Sequence, residues 1–128
     1  MITPIKNDEK DLLTEKIIGL CFKIHTEIGP GFIEKIYHNA LIVLLEEEKI
    51  NFETEKYFDV KFRNKKIGKF RCDLLIENKV IVELKAINGF LPKIFDLQFL
   101  SYLKASKIKT GLQINFGNKS CEVKRLSV

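Results

Sequence analysis

The stretch "CDLLIENKVIVELKA", residues 72–86, decides the fold. Two apolar runs flank a polar turn, which reads as a β-hairpin. Three charges interrupt it: Asp73 in the first run, Glu83 and Lys85 in the second. Burying an unpaired carboxylate is costly, so such groups need partners. Glu83 and Lys85 are two apart and share one face of their strand. Asp73 joins them only in one register. A two-residue turn at Asn78-Lys79 sets Asp73 opposite Leu84, on the other face. A three-residue loop, Glu77-Asn78-Lys79, sets it opposite Glu83 on the same face, because a one-residue slip flips every side chain. Asn78 suits the left-handed backbone of such a loop. Two explanations stand side by side: a structural ion pair, such as Lys85 with Asp73, or an all-oxygen site for Mg²⁺ or Mn²⁺. The second requires the odd loop or a bulge.

Outward from the hairpin, the period of the apolar residues assigns the other elements. Residues 11–27 carry Leu13, Ile17, Leu20, Cys21 and Ile24 at helical spacing, with Asp11 as N-cap. "IGPG" (28–31) breaks that helix. A second helix is expected from about residue 32 to 49, with Ile36, Ala40, Val43 and Leu44 as its buried stripe. From Phe52 the period becomes two, with Phe58, Val60 and Phe62 on one side and Tyr57, Asp59 and Lys61 on the other. Residues 64–66 form a turn, and "IGKFRCDLLI" follows as a strand. "VIVELKA" is nearly continuous in apolar residues and reads as a central strand covered on both faces. Pro92 precedes a third helix that ends near Ala105. "KTGLQINF" (109–116) is another buried strand and "CEVKRLSV" an edge strand. The order α-α-β-β-β-α-β-β predicts an α/β fold, with a mixed sheet and helices packed against it.

A chain of 128 residues is expected to be one domain, 1–128. No apolar run reaches the ~20 residues of a membrane span. The polar N-terminus, "MITPIKNDEKD", does not read as a secretory signal. Cys21, Cys72 and Cys121 are an odd count with no CxxC pattern, as expected of reduced core thiols in a cytoplasmic protein. The two histidines lie near no cysteine pair, which argues against a zinc site. Charge is uneven: residues 1–55 hold 6 Lys/Arg and 11 Asp/Glu, and residues 56–128 hold 16 and 6. A basic C-terminal half points to a polyanion such as nucleic acid, although a lysine-rich solvated surface has the same composition.

Asp73 and, ten positions later, Glu83-Leu84-Lys85 across a hairpin resemble the motif of the PD-(D/E)XK nuclease superfamily. "HTEIGPGFIEKIYHNAL" (25–41) resembles the signature of its GxxExxY family, with Gly31, Glu34 and Tyr37 at the naming positions. "DLLIENKVIVELKA", "QFLSYLKAS" and "GLQINFG" resemble that family's later blocks, in the same order, so the likeness spans residues 12–126. Cys72 stands where the superfamily's name has proline, a position without chemistry.

The resemblance implies a restriction-endonuclease-like core and a metal-dependent nuclease acting on DNA or RNA. Asp73 and Glu83 would bind Mg²⁺ (or Mn²⁺), aided by the carbonyl of Leu84. Lys85 would orient water or offset charge on the phosphate. Glu34 would complete the metal shell and Gln98 would stand near the metal. Tyr102 lies one turn after Gln98 on the same helix face. Glu34, Tyr37 and His38 fall within one turn, so they are read as sharing a face; for Tyr37, core packing is the competing reading. His25 would support the Gly-Pro-Gly turn or touch the site. Two other readings remain open: a module that binds nucleic acid without cleaving it, and a subunit that depends on a partner. A small nuclease that cuts both strands calls for a second copy, hence a homodimer.

Overall fold

The computed structural model describes residues 8–128. Two helices, α1 (Asp8–Ile28) and α2 (Glu34–Glu47), precede three strands, β1 (Phe52–Phe62), β2 (Lys65–Ile76) and β3 (Val80–Lys85). Helix α3 (Ile94–Ser106) then leads to β4 (Thr110–Asn115) and β5 (Glu122–Ser127). The five strands form one sheet in the order β1-β2-β3-β4-β5. Only β3 and β4 are parallel; the crossover that a parallel pair requires is α3. The sheet is therefore mixed and flanked by helices, as the element order predicts.

The strands at the centre carry no alternation because both faces are covered. Five of the six β3 residues and all of β4 are buried. One face packs Leu74, Val82, Leu84, Ile114 and Phe116 against α1 and α2. The other packs Leu75, Ile81 and Leu126 against Phe99 and Leu103 of α3. Gly111 lets α3 sit close: a Cβ there would meet the Phe99 ring at 2.5 Å. The β1–β2 turn is shorter than the sequence suggested. Strand pairing runs to Phe62–Lys65, leaving Arg63 and Asn64, both at positive φ, as a two-residue turn.

Helix α2 turns a different face inward from the stripe expected. Its buried residues are Tyr37, His38, Leu41 and Leu45, while Ile36 and Val43 are exposed. Apolar residues line much of the helix, so periodicity leaves its rotation ambiguous. Tyr37 settles the rotation. Its ring stacks on Phe116 at 4.4 Å, and its hydroxyl donates to the Gly29 carbonyl at 2.7 Å. Helix α1 starts at Asp8, so Asp11 lies within it rather than at its N-cap.

Candidate active site

The hairpin of residues 72–86 takes the odd register. Leu74 pairs with Val82, Leu75 with Ile81 and Ile76 with Val80, so the loop is Glu77-Asn78-Lys79. Glu77 and Asn78 both take left-handed φ, +52° and +55°. Regular pairing lapses at Asp73 on both sides. The ladder to β3 ends at Leu74–Val82, and the ladder to β1 passes from Thr54–Leu74 to Lys56–Cys72. Glu55, between those two β1 positions, sits at φ +50°. Asp73 makes good the lapse with its side chain: Oδ2 accepts the Leu84 N–H at 2.8 Å.

Glu83 and Lys85 follow Ile81 at two-residue steps and face α3. Asp73, Glu83 and Lys85 line one cavity of about 190 Å³, together with Glu34, Arg71, Gln98, Tyr102 and Gln113. The residues predicted from the hairpin, from α2 and from α3 thus converge. Gln98 and Tyr102, one helical turn apart, both reach the cavity, and the Tyr102 ring is held by stacking on Phe70 at 4.1 Å. A second cavity, about 410 Å³, continues outward past Glu34, Arg71 and Asp73 to Lys35, His38 and Glu55.

The electrostatics mark this as an acidic site whose neighbouring cations offset it only in part. Burial pushes the Glu83 carboxyl well above the usual carboxylate range, and the neighbouring Asp73 pushes it further. Glu34 is raised for the same two reasons, with Lys85 and Arg71 pulling the other way. Burial, then Glu83 and Asp73, also raise the Tyr102 hydroxyl. No Lys85–Asp73 ion pair forms among the described residues; the Lys85 ammonium lies instead 4.5 Å from the centre of the Phe95 ring. A Lys85–Asp73 ion pair therefore does not account for the charges in this hairpin.

Gln113 was not among the candidates. It is 2% exposed, lies beside Glu83 in the parallel β3–β4 register, and its Oε1 has no hydrogen-bond partner. A lone amide in a greasy strand gives little signal. The parallel pairing that sets it next to Glu83 was the only clue, and that pairing cannot be read locally.

A hard divalent cation suits this donor set in kind. The nearby acceptors are carboxylate and amide oxygens, one of them unpartnered, and at Glu83 burial and Asp73 outweigh the opposing charge of Lys85. Among the described residues no three His, Cys, Asp or Glu side chains close on one point, so protein side chains alone do not complete a metal shell.

Other expected residues lie apart from the cavity. Tyr37 is fully buried in the core with its hydroxyl satisfied, and it does not line the cavity that Glu34 and His38 line. The His25 ring bonds the Asn118 carbonyl through Nε2 at 2.8 Å, tying α1 to the β4–β5 loop. His38 is buried at the outer cavity; burial and Lys35 lower its pKa, and its Nε2 has no partner. All three cysteines are free and buried. Burial, aided by Glu83 and Asp73, lifts Cys72 to about 12, so its thiol stays protonated.

The profile of the PD-(D/E)XK nuclease superfamily matches residues 11–126. This chain belongs to that superfamily. No curated protein matches it. Among solved structures it is similar to the crystal structure of SSO0001, with a TM-score of 0.56 and 22% identity. The alignment covers 73% of this chain and 48% of that one, so the chain spans about half the length of the structure it matches. At that identity the likeness bears on the fold, the nuclease core of a mixed sheet flanked by helices. Among the described residues, no helix of this superfamily member is long and apolar enough to cross a membrane.

Proposed function

We propose that this protein is a divalent-metal-dependent nuclease of the GxxExxY type, hydrolysing phosphodiester bonds of DNA or RNA in the cytoplasm. One observation carries the reading: Asp73, Glu83 and Lys85, widely unwelcome in buried strands, share one polar cavity with Glu34, Gln98 and Gln113. Asp73 and Glu83, with the Leu84 carbonyl and Glu34, would hold Mg²⁺ or Mn²⁺. Bound there, the cation would lower the pKa of a coordinated water and polarise the phosphate.

The chain's own residues supply the rest. The Leu84 N–H fixes the Asp73 carboxylate, so its free oxygen has a set direction. Lys85 offers positive charge where the pentacoordinate phosphate gathers negative charge. Its ammonium sits 4.5 Å from the centre of the Phe95 ring, in the same cavity as the carboxylates. Gln98 and Tyr102 present an amide and a hydroxyl from one face of α3, suited to orienting a phosphate oxygen or water. Cutting both strands of a duplex would call for a homodimer, which light scattering would reveal.

The incomplete set of acidic side chains favours a second reading, a nucleic-acid-binding module that does not cleave. The test separates the two. Plasmid, linear and single-stranded substrates are offered with Mg²⁺ or Mn²⁺ to wild type, Asp73→Ala and Glu83→Ala. Cleavage by wild type that both variants lose supports the nuclease. Cleavage that survives either substitution sinks it, and binding without cleavage in any metal leaves the module.

A further inference from the structure

The outer half of the β1–β2 hairpin has no structural task that explains its composition. Strand pairing continues without a third strand to the Arg63-Asn64 turn, so Lys56–Phe62 and Lys65–Arg71 form a two-stranded ribbon. Every residue from 61 to 69 is exposed. Residues 56–71 hold seven Lys/Arg and a single acid, Asp59. Among them Tyr57, Phe62 and Ile67 are 55%, 61% and 66% exposed. Only the base of the ribbon packs inward, through Phe58 and Phe70 against Tyr102.

The cations are arrayed rather than scattered. Lys69 sits 4.7 Å over the Tyr57 ring, and the Arg63 guanidinium 5.4 Å over Phe62. Lys66 meets Asp59 and Arg71 meets Glu55, both as exposed pairs that a phosphate could replace at little cost. The acidic excess lies elsewhere, in residues 1–55, so the charge distribution orients the ribbon towards a polyanion.

We infer that this ribbon is the surface that engages double-stranded DNA, entering its major groove, and that it sets the duplex against the cavity. The inference rests on the nuclease reading and narrows its substrate. A two-stranded β-ribbon fits the B-form major groove, about 12 Å wide. The deep, narrow major groove of A-form RNA does not admit it. Arg71 connects the two regions: it lines both cavities and stands two residues from Asp73 on the same strand. From Asp73 to Lys65 the strand extends eight residues, roughly 26 Å at ~3.3 Å each. The grip and the cavity are thus separated by less than one turn of duplex, about 34 Å.

The test measures binding by fluorescence anisotropy in EDTA, using the full chain. The probes are a labelled 20-base-pair DNA duplex, one of its single strands, and an RNA duplex of the same sequence. Tightest binding to duplex DNA is expected. Replacing Lys61, Arg63, Lys65 and Lys69 together by Ala should weaken it on the order of 10²-fold and flatten the log–log salt slope by about three to four. Because those residues are exposed, the melting temperature should hold, and the K61R/K65R/K69R variant should retain affinity. Equal duplex binding by the quadruple Ala variant, or a preference for the single strand or the RNA duplex, overturns the ribbon and leaves the nuclease reading intact. Failure of wild type to bind any of the three probes likewise overturns the ribbon, and the nuclease reading is then decided by the cleavage assay with Mg²⁺ or Mn²⁺.

Discussion

Strand β2 joins two regions that treat charge in opposite ways. Its inner half, Cys72–Ile76, is buried apart from Asp73; burial raises the proton affinity of Glu83 and Glu34 around it, and that one carboxylate raises it further. Its outer half, Lys65–Lys69, is exposed throughout and carries three lysines. Charge in the outer half is cheap, since water solvates it, and it speaks of a partner. Charge in the inner half has to overcome desolvation, and it speaks of chemistry. One strand passes from the proposed recognition surface to the proposed reacting centre, with Arg71 at the join.

The largest effect expected lies at the centre. Asp73→Ala should lower cleavage on the order of 10³-fold, as loss of a group acting on transition-state charge does, and should cost about 1–3 kcal/mol of stability by leaving the buried Leu84 N–H unpaired. A comparable loss from a single ribbon substitution would break the contrast. Next comes the core beneath the site. Leu74→Ala, at a fully buried position, should cost about 2–5 kcal/mol in a urea titration. Phe62→Ala in the ribbon should stay within about 0.5 kcal/mol.

Glu83 gives the contrast a pH signature. Its folded-state pKa is raised, so the folded protein holds a proton that the unfolded chain releases near 4.5. Without metal, stability should therefore fall as pH rises above 4.5 towards the raised value. Glu83→Gln should remove that slope and melt higher than wild type at neutral pH in EDTA. Saturating Mg²⁺ should restore wild type, by about 2.7 kcal/mol at a hundred times Kd, and leave the variant unchanged. A wild-type melting temperature that does not respond to Mg²⁺ would count against the site. The smallest effect separates packing from chemistry on α2. Tyr37→Phe should cost about 1 kcal/mol by removing the bond to Gly29, and cleavage should persist.

The order of the elements was legible because periods of 3.6 and 2 are local properties. So was the choice at the hairpin, which reduced to the length of one loop, and Glu77-Asn78-Lys79 takes the odd form. The inward face of α2 was not legible. Apolar residues surround it, and a stacking partner 79 positions away, Phe116, decides which side packs. Gln113 was hidden for a related reason: its neighbour Glu83 is brought to it by the β3–β4 pairing across a helix. The ribbon's charges were visible in the composition. Their exposure was not, because it depends on β3 ending where it does.

The most direct measurement of the central claim is Mn²⁺ binding followed by electron paramagnetic resonance, with no nucleic acid present. Wild type should bind Mn²⁺ stoichiometrically, and Asp73→Ala and Glu83→Ala should each lose that binding while the quadruple ribbon variant keeps it. Binding that persists in both carboxylate variants would contradict the account.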